Sequence, residues 1–325
     1  MNATPPRDPD VVVSSGNMNF ARRQPRVEMV DESIPVRAPT KTPEVKSHAE
    51  TDSRYVGLKL LSGFVPYAFQ SLSLRPVAAG EQAKFNRAHK EGMLRHLVDG
   101  ISATLEPGIS AYSLTPNDFY FVMYWLRVNS YTKVPYQHHT LCENPEHLAK
   151  VMSEDPNVAL KPETLEIKML VTNSSLVQRE LDSNPLDEFL TGDGIGTRYP
   201  LGFATMADVV TITEKEDTLN NLAEEAKAKD PNVVIDVDGD YEEWAWLADR
   251  ASYLTQGENG ERDLESRIDW VRKMSPDDIQ ELEAYTQAAT NYGVDEFVTV
   301  RCEECGAEKR TKVSISALSF LPNSR

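Results

Sequence analysis

Glu296-Phe297-Val298-Thr299-Val300-Arg301-Cys302-Glu303-Glu304-Cys305-Gly306, followed by the alternating run Lys312-Val313-Ser314-Ile315-Ser316, decides how this chain is read. A β-branched run, a short turn bearing two cysteines and a second alternating run describe a strand, a knuckle and a return strand. Two thiolates across so tight a turn can reach one metal ion. Gly306 permits the backbone conformation that would aim its N–H at a sulfur. A closed zinc site needs four ligands, and the knuckle supplies two. The chain has three cysteines, so the next donor is Cys142. It lies in His138-His139-Thr140-Leu141-Cys142-Glu143-Asn144-Pro145-Glu146-His147. Cys142 with His147 is one pairing, and His139 with Cys142 competes with it. Asn144-Pro145 favours a turn that folds the chain back, which puts His147 ahead. The predicted site is therefore Cys142, His147, Cys302 and Cys305, holding a structural zinc between segments some 155 residues apart. A thioredoxin-like redox pair is the rival reading of Cys302 and Cys305. Such a pair opens a helix after a strand, whereas these cysteines are flanked by two strands. With no open coordination position and no general base in view, a catalytic ion is not expected.

Outward from the knuckle, the neighbouring segments read as helices. Ser275-Pro276-Asp277-Asp278 sets a hydroxyl N-cap, a proline at the first helical position and a carboxylate in the first turn. That helix is predicted to run from Pro276 to Tyr292 and stop at Gly293. Asp263–Lys273 has Leu264, Ile268 and Val271 on one face, the mark of another helix. Thr115-Pro116-Asn117-Asp118 repeats the cap ahead of Phe119-Tyr120-Phe121-Val122-Met123-Tyr124-Trp125-Leu126. A helix apolar on every face belongs in the middle of a core. Glu81–Leu105 spaces its apolar residues by threes and fours and reads as one amphipathic helix. Leu72–Arg75, Leu165–Val171 and Asp208–Thr213 read as strands. The fold class is α+β: a helical body with short strands and a zinc-ribbon-like β-hairpin built from two distant segments.

Four regions follow. Residues 1–54 hold seven of the twenty prolines, with eight basic and eight acidic residues, and read as a disordered arm. Within it, Val27–Pro43 could order on a partner. Residues 55–175 form an N-terminal α/β body with the first metal loop. Residues 176–260 read as an irregular acidic insertion, in which 214–249 carry twelve acids against three bases. Residues 261–325 supply helices and the ribbon that completes the body. The acidic stretch reads as a solvated surface, with a basic docking partner as the alternative.

Composition narrows the function. The chain has 325 residues, 34 Lys and Arg against 51 Asp and Glu, and a net charge of −17. Affinity for nucleic acid comes mainly from neutralising phosphates, so this balance argues against nucleic acid and anionic membranes. No apolar run approaches the roughly 20 residues of a membrane span. Val11-Val12-Val13 is too short for a signal-peptide core, and three cysteines do not make a disulfide scaffold, so a reducing cytoplasm is expected. Other patterns fail. Gly192-Asp193-Gly194-Ile195-Gly196-Thr197 lacks the preceding strand and the lysine of a phosphate loop. Asp236-Val237-Asp238-Gly239-Asp240 has its glycine at the wrong place for a calcium loop and Leu247 where the closing glutamate belongs. His89 and His96 lie on one face of the predicted helix without a third ligand. Trp244 and Trp246 read as packing residues or an exposed aromatic contact.

Several motifs resemble a known family. Leu61-Ser62-Gly63-Phe64-Val65-Pro66-Tyr67 with Leu72-Ser73-Leu74-Arg75-Pro76 is similar to the opening of baseplate hub and hub-assembly proteins of T-even-type contractile-tailed bacteriophages. Leu114-Thr115 with Asp118, then Leu126-Arg127 and Ser130-Tyr131, resembles that family's signature around an apolar helix. The cysteine loops and Ser319-Phe320-Leu321 fit the same order. The resemblance spans most of 58–175 and 265–322. Where the family often has Cys-x-x-Cys in the first loop, this chain has Pro145, with His147 following. Gly63-Phe64 also departs from the family's simpler turn. The resemblance implies a virion-assembly role, as a hub component or hub-assembly chaperone. The implied partners are other tail and baseplate proteins, with oligomerisation open. The implied location is the host cytoplasm during assembly, and the virion tail baseplate if the chain stays in the particle. A zinc-ribbon nucleic-acid-binding or regulatory module is the alternative, resting on Arg301, Lys309, Arg310 and Lys312. An enzyme, such as a tail peptidoglycan hydrolase, has no paired acid and base to support it.

Overall fold

A computed structural model describes residues 54–91, 93–131, 135–154, 165–229 and 237–313. The proline-rich arm, apart from its last residue, lies outside them, as do Ser314–Ser316 of the predicted return strand. The fold is mixed α+β, as expected. Short strands pair as four two-stranded antiparallel sheets. The pairs are β1 (Val56–Leu58) with β2 (Leu72–Leu74), and β3 (Gln137–Leu141) with β4 (Glu166–Leu170). The other two are β5 (Val177–Arg179) with β6 (Gly293–Asp295), and β7 (Phe297–Arg301) with β8 (Glu308–Lys312).

The first core is built around α3 (Pro116–Ser130). Thr115 caps it through its hydroxyl and Pro116 starts it, as the sequence predicts. Phe119, Phe121, Val122, Met123, Tyr124 and Leu126 are buried around its whole circumference. The predicted helix over Glu81–Leu105 is instead two, α1 (Ala79–Glu91) and α2 (Leu94–Ser102). Met93, which follows Gly92 in the sequence, is extended and separates them. His89 and His96 therefore lie on different helices rather than on one face. The two helices pack closely where Gly100 meets the Phe85 ring; a Cβ there would lie 2.8 Å from the ring.

A second apolar cluster gathers Leu247, Ala251, Leu254, Leu264, Ile268, Leu282 and Tyr285. It is made by α5 (Pro185–Phe189), α6 (Ile195–Arg198), α8 (Val237–Ala251), α9 (Leu264–Val271) and α10 (Pro276–Thr290). Here the expectations need correction. The stretch read as irregular contains α5 and α6, and Asp208–Thr213 is not a strand. It opens α7 (Met206–Lys229), which with α8 takes up most of the acidic stretch. The reason is local. Thr205 and Asp208 form a reciprocal cap, with Asp208 Oδ2 accepting the Thr205 N–H at 3.1 Å and Thr205 Oγ1 accepting the Asp208 N–H at 3.4 Å. That cap nucleates helix despite the β-branched residues that follow. Trp244 packs on the second cluster, whereas Trp246 is more open, with the Arg250 guanidinium 3.8 Å above its ring.

Asp208 also holds the second cluster to α7. It pairs with Arg267 of α9, both side chains being about nine-tenths buried, and the same guanidinium donates to the Leu254 carbonyl at 2.9 Å. A buried ion left without its partner is costly. Arg267→Met should lower the unfolding free energy by about 3–5 kcal/mol, measured by urea denaturation. Adding Asp208→Asn should restore part of the loss; additive losses would refute the coupling.

Candidate metal centre

β3 carries the chain into the first half of the site. Side chains alternate along it, so His138 and Thr140 are half-buried while His139 is exposed. Cys142 continues the inner series and is buried. Its N–H donates to the Leu165 carbonyl at 2.8 Å, which extends the β3–β4 ladder by one bond. The chain then turns at Asn144. The Asn144 side chain accepts the Glu146 N–H at 3.0 Å and its carbonyl accepts the Leu148 N–H at 2.9 Å. This turn starts α4 (Pro145–Glu154) and places His147 in the first helical turn, buried and facing back toward Cys142.

The second half is the β7–β8 hairpin. The observed return strand is Glu308–Lys312, starting earlier than predicted, because Arg301 pairs directly with Glu308 and leaves a short knuckle between them. The Cys302 N–H donates to the Ala307 carbonyl and the Gly306 N–H to the Cys302 carbonyl, each at 2.9 Å. Gly306 has φ +73°, the left-handed conformation expected of it. Its N–H, however, does not go to a sulfur as anticipated. The backbone donors to sulfur are Ala307, toward Cys305, and Asn144, toward Cys142.

The two halves meet. Cys142, His147, Cys302 and Cys305 bring their donor atoms within 4.8 Å of one another. The sulfurs of Cys142 and Cys305 are 3.6 Å apart, and Cys302 Sγ is 3.5 Å from His147 Nδ1. A tetrahedral zinc, with bonds of about 2.3 Å to sulfur and 2.0–2.1 Å to nitrogen, requires edges of about 3.8 Å and 3.5 Å. The group could therefore hold a metal ion of the zinc type. Nδ1 of His147 would be the ligating nitrogen. His139 does not join the group: its Nδ1 lies 2.5 Å from Glu166 on the outer face of the hairpin.

The site's electrostatics point the same way. Burial pushes the Cys142 thiol up to about 11, with the neighbouring cysteine thiols adding to it. The Ala307 N–H holds the Cys305 thiol below its usual range. A cation among the three sulfurs would relieve the repulsion between neighbouring thiolates. Metal entry would displace the thiol protons, so affinity falls as pH falls. Around the centre, Lys309 Nζ donates to the Leu141 carbonyl at 3.2 Å and pairs with Glu143. His138 Nε2 and Thr311 Oγ1 are 3.2 Å apart across the two hairpins.

A second junction was not anticipated from the sequence. From the sequence, Asp118 is a helix-dipole carboxylate and a residue of the signature. It is buried, and burial raises its pKa. It accepts the Ser62 N–H at 3.2 Å and the Tyr67 hydroxyl at 2.7 Å. Thr115 Oγ1 lies 2.6 Å from the Tyr292 hydroxyl, and Asn117 donates to the Tyr292 carbonyl at 2.8 Å. Tyr292 is not helical as predicted. α10 ends at Thr290, and the chain crosses to α3 before Gly293, at φ +127°, begins β6. The Thr115-Asp118 spacing was the available signal; the tyrosines lie too far off in sequence to be matched to it.

No protein-family model matches the chain, and neither a curated protein nor a solved structure matches it. Among the described residues, no helix is long and apolar enough to cross a membrane.

Metal analysis of the purified chain should find about one zinc per chain, lost in Cys302→Ser and His147→Ala but kept in His139→Ala. Chelation should lower the melting temperature. Zinc retention should fall as the pH is lowered, because thiols and imidazole take up protons. A well-folded chain without metal, insensitive to chelator, would refute the site.

Proposed function

We propose that the chain is a zinc-stapled interaction protein of tail assembly, a baseplate hub component or hub-assembly chaperone that works through protein contacts. The observation that carries the structural part is the Cys3His cluster. Four protein donors fill a tetrahedral shell and leave no position for a reactive water, so the ion's work is to hold the chain.

The tail-assembly part rests on the resemblance alone; the contacts of the signature residues bear on their packing. Tyr67, Thr115 and Asp118 bond to one another. Arg75 forms a forked pair with Glu81 and also donates to the Ala103 carbonyl at 3.0 Å. Ser130 accepts the Val77 N–H at 2.9 Å. Tyr67, Arg75, Thr115, Asp118 and Ser130 thus hold segments of the first core together.

The nucleic-acid alternative is weakened at three of its four basic residues. Lys309 pairs with Glu143, Lys312 with Glu296, and Arg310 approaches Asp295 at 3.6 Å while covering the Phe297 ring. Basic residues already neutralised by neighbouring acids are poor phosphate contacts.

Co-expression with the individual tail baseplate proteins, followed by affinity purification, tests the proposal. A stoichiometric complex with a hub protein should form and should weaken in Cys302→Ser. Mass spectrometry of finished particles would then separate a hub component from a chaperone. Failure to bind any baseplate protein, or a salt-dependent shift of DNA, would overturn the reading.

A further inference from the structure

We propose that the metal centre is also a thiol switch, in which oxidation releases the ion and joins Cys142 to Cys305. This rests on the metal reading above and adds a chemical event to it. The geometry points to one pair. Cys305 is exposed, at the rim of the knuckle, whereas Cys142 and Cys302 are buried. Cys305 is therefore the sulfur that a dissolved oxidant meets. The sulfur of Cys142 stands 3.6 Å from it, on the segment 163 residues earlier. Cys302 also interacts with both of these thiols, but it is buried and its sulfur stands 3.5 Å from His147 Nδ1.

The oxidant is a hydroperoxide. The Cys305 thiolate attacks one peroxide oxygen, the O–O bond breaks, hydroxide leaves from hydrogen peroxide, and a sulfenic acid forms. The Cys142 thiolate then attacks that sulfur and expels a second hydroxide as the S–S bond closes. Two thiolates are oxidised by two electrons in all, and one peroxide is reduced. Only Cys302 and His147 remain as donors, too few for zinc, and the ion leaves. The product keeps the two distant segments joined, by a covalent bond in place of the metal. A thiol reductant with zinc reverses it. Closure between Cys302 and Cys305 would instead leave no covalent link between the two segments, which would then be held by their hydrogen bonds and packing alone.

The zinc content of the full-length chain is measured first, so that a missing metal is recognised independently of the thiol chemistry. Hydrogen peroxide is then added, with zinc release followed by a chromogenic chelator and disulfides mapped by non-reducing peptide mass spectrometry. The expected result is one Cys142–Cys305 peptide for each zinc released, with Cys302 the thiol left open to alkylation. Cys142→Ser should abolish that peptide; the alkylation pattern of the wild type, which does not depend on how that variant folds, is the deciding measurement. A zinc-loaded chain giving mainly a Cys302–Cys305 peptide, or keeping its zinc through oxidation of Cys305, would overturn the switch and leave the metal reading intact. A chain that purifies without zinc would overturn both the metal reading and the release step, whichever peptide it gives.

Discussion

The chain has to bring its last described stretch back onto its first half, and most of the structure answers to that constraint. β3–β4 and β7–β8 are both two-stranded, and an isolated two-stranded hairpin is marginal in water. The direct links between them are modest. A hydrogen bond such as His138 to Thr311 contributes about 1 kcal/mol net. The Lys309–Glu143 pair has its carboxylate largely in solvent and adds about 0–1 kcal/mol. A structural zinc contributes of order 10 kcal/mol. Burial of Ile167, Val298, Val300 and Val313 in the first core adds about 1.5–3 kcal/mol for each side chain, so an ion bound by Cys142, His147, Cys302 and Cys305 would be the largest single link but not the whole of the junction.

The metal centre does not close the chain alone. Tyr292 reaches Thr115 at the start of α3, and β6 pairs with β5 in the register Val177 to Asp295. These ties lie just upstream of the β7–β8 hairpin and limit where it can stand. The first is built around a buried carboxylate, which is costly unless it is hydrogen-bonded. Asp118 meets that requirement with the Ser62 N–H, the Tyr67 hydroxyl and its position at the positive end of α3. Burial still prevails, leaving its pKa raised. The polar network therefore contributes specificity of seating, since its donors lie on three separated segments and match in one arrangement.

Much of this was legible in the sequence because the signals were local. Thr115 and Ser275 cap the helices they were expected to cap, and the ligand set followed from the knuckle and the third cysteine. The choice between His139 and His147 rests on the strand that the structure shows. On a strand, residues three apart face opposite sides, so His139 could not share the inner face with Cys142 once β3 extended to Leu141. What failed was β propensity in 208–213. Val209, Val210 and Ile212 look like a strand, but the Thr205–Asp208 cap and the Asp208–Arg267 pair hold the segment as helix. The cap could have been read from the sequence. Arg267 could not have been assigned to Asp208, because nothing local marks a partner 59 residues away.

The placement of α5–α10 separates closure of the body from formation of its parts. Cys142 and His147 adjoin the first core, the second cluster follows, and Cys302 and Cys305 come after it. That cluster depends on contacts among its own helices, such as Arg250 with Glu283, Arg198 with Asp278 and the Tyr285 hydroxyl to the Gly202 carbonyl at 2.9 Å. No metal ligand takes part in it. Cys142 and Cys302, by contrast, are buried in the first core, so an ion bound there would act on that core and its junction with the last strands, not on the second cluster. Loss of such an ion should therefore spare the helices of the second cluster, and Cys305, the one cysteine of the group open to solvent, lies at the rim where that loss would begin.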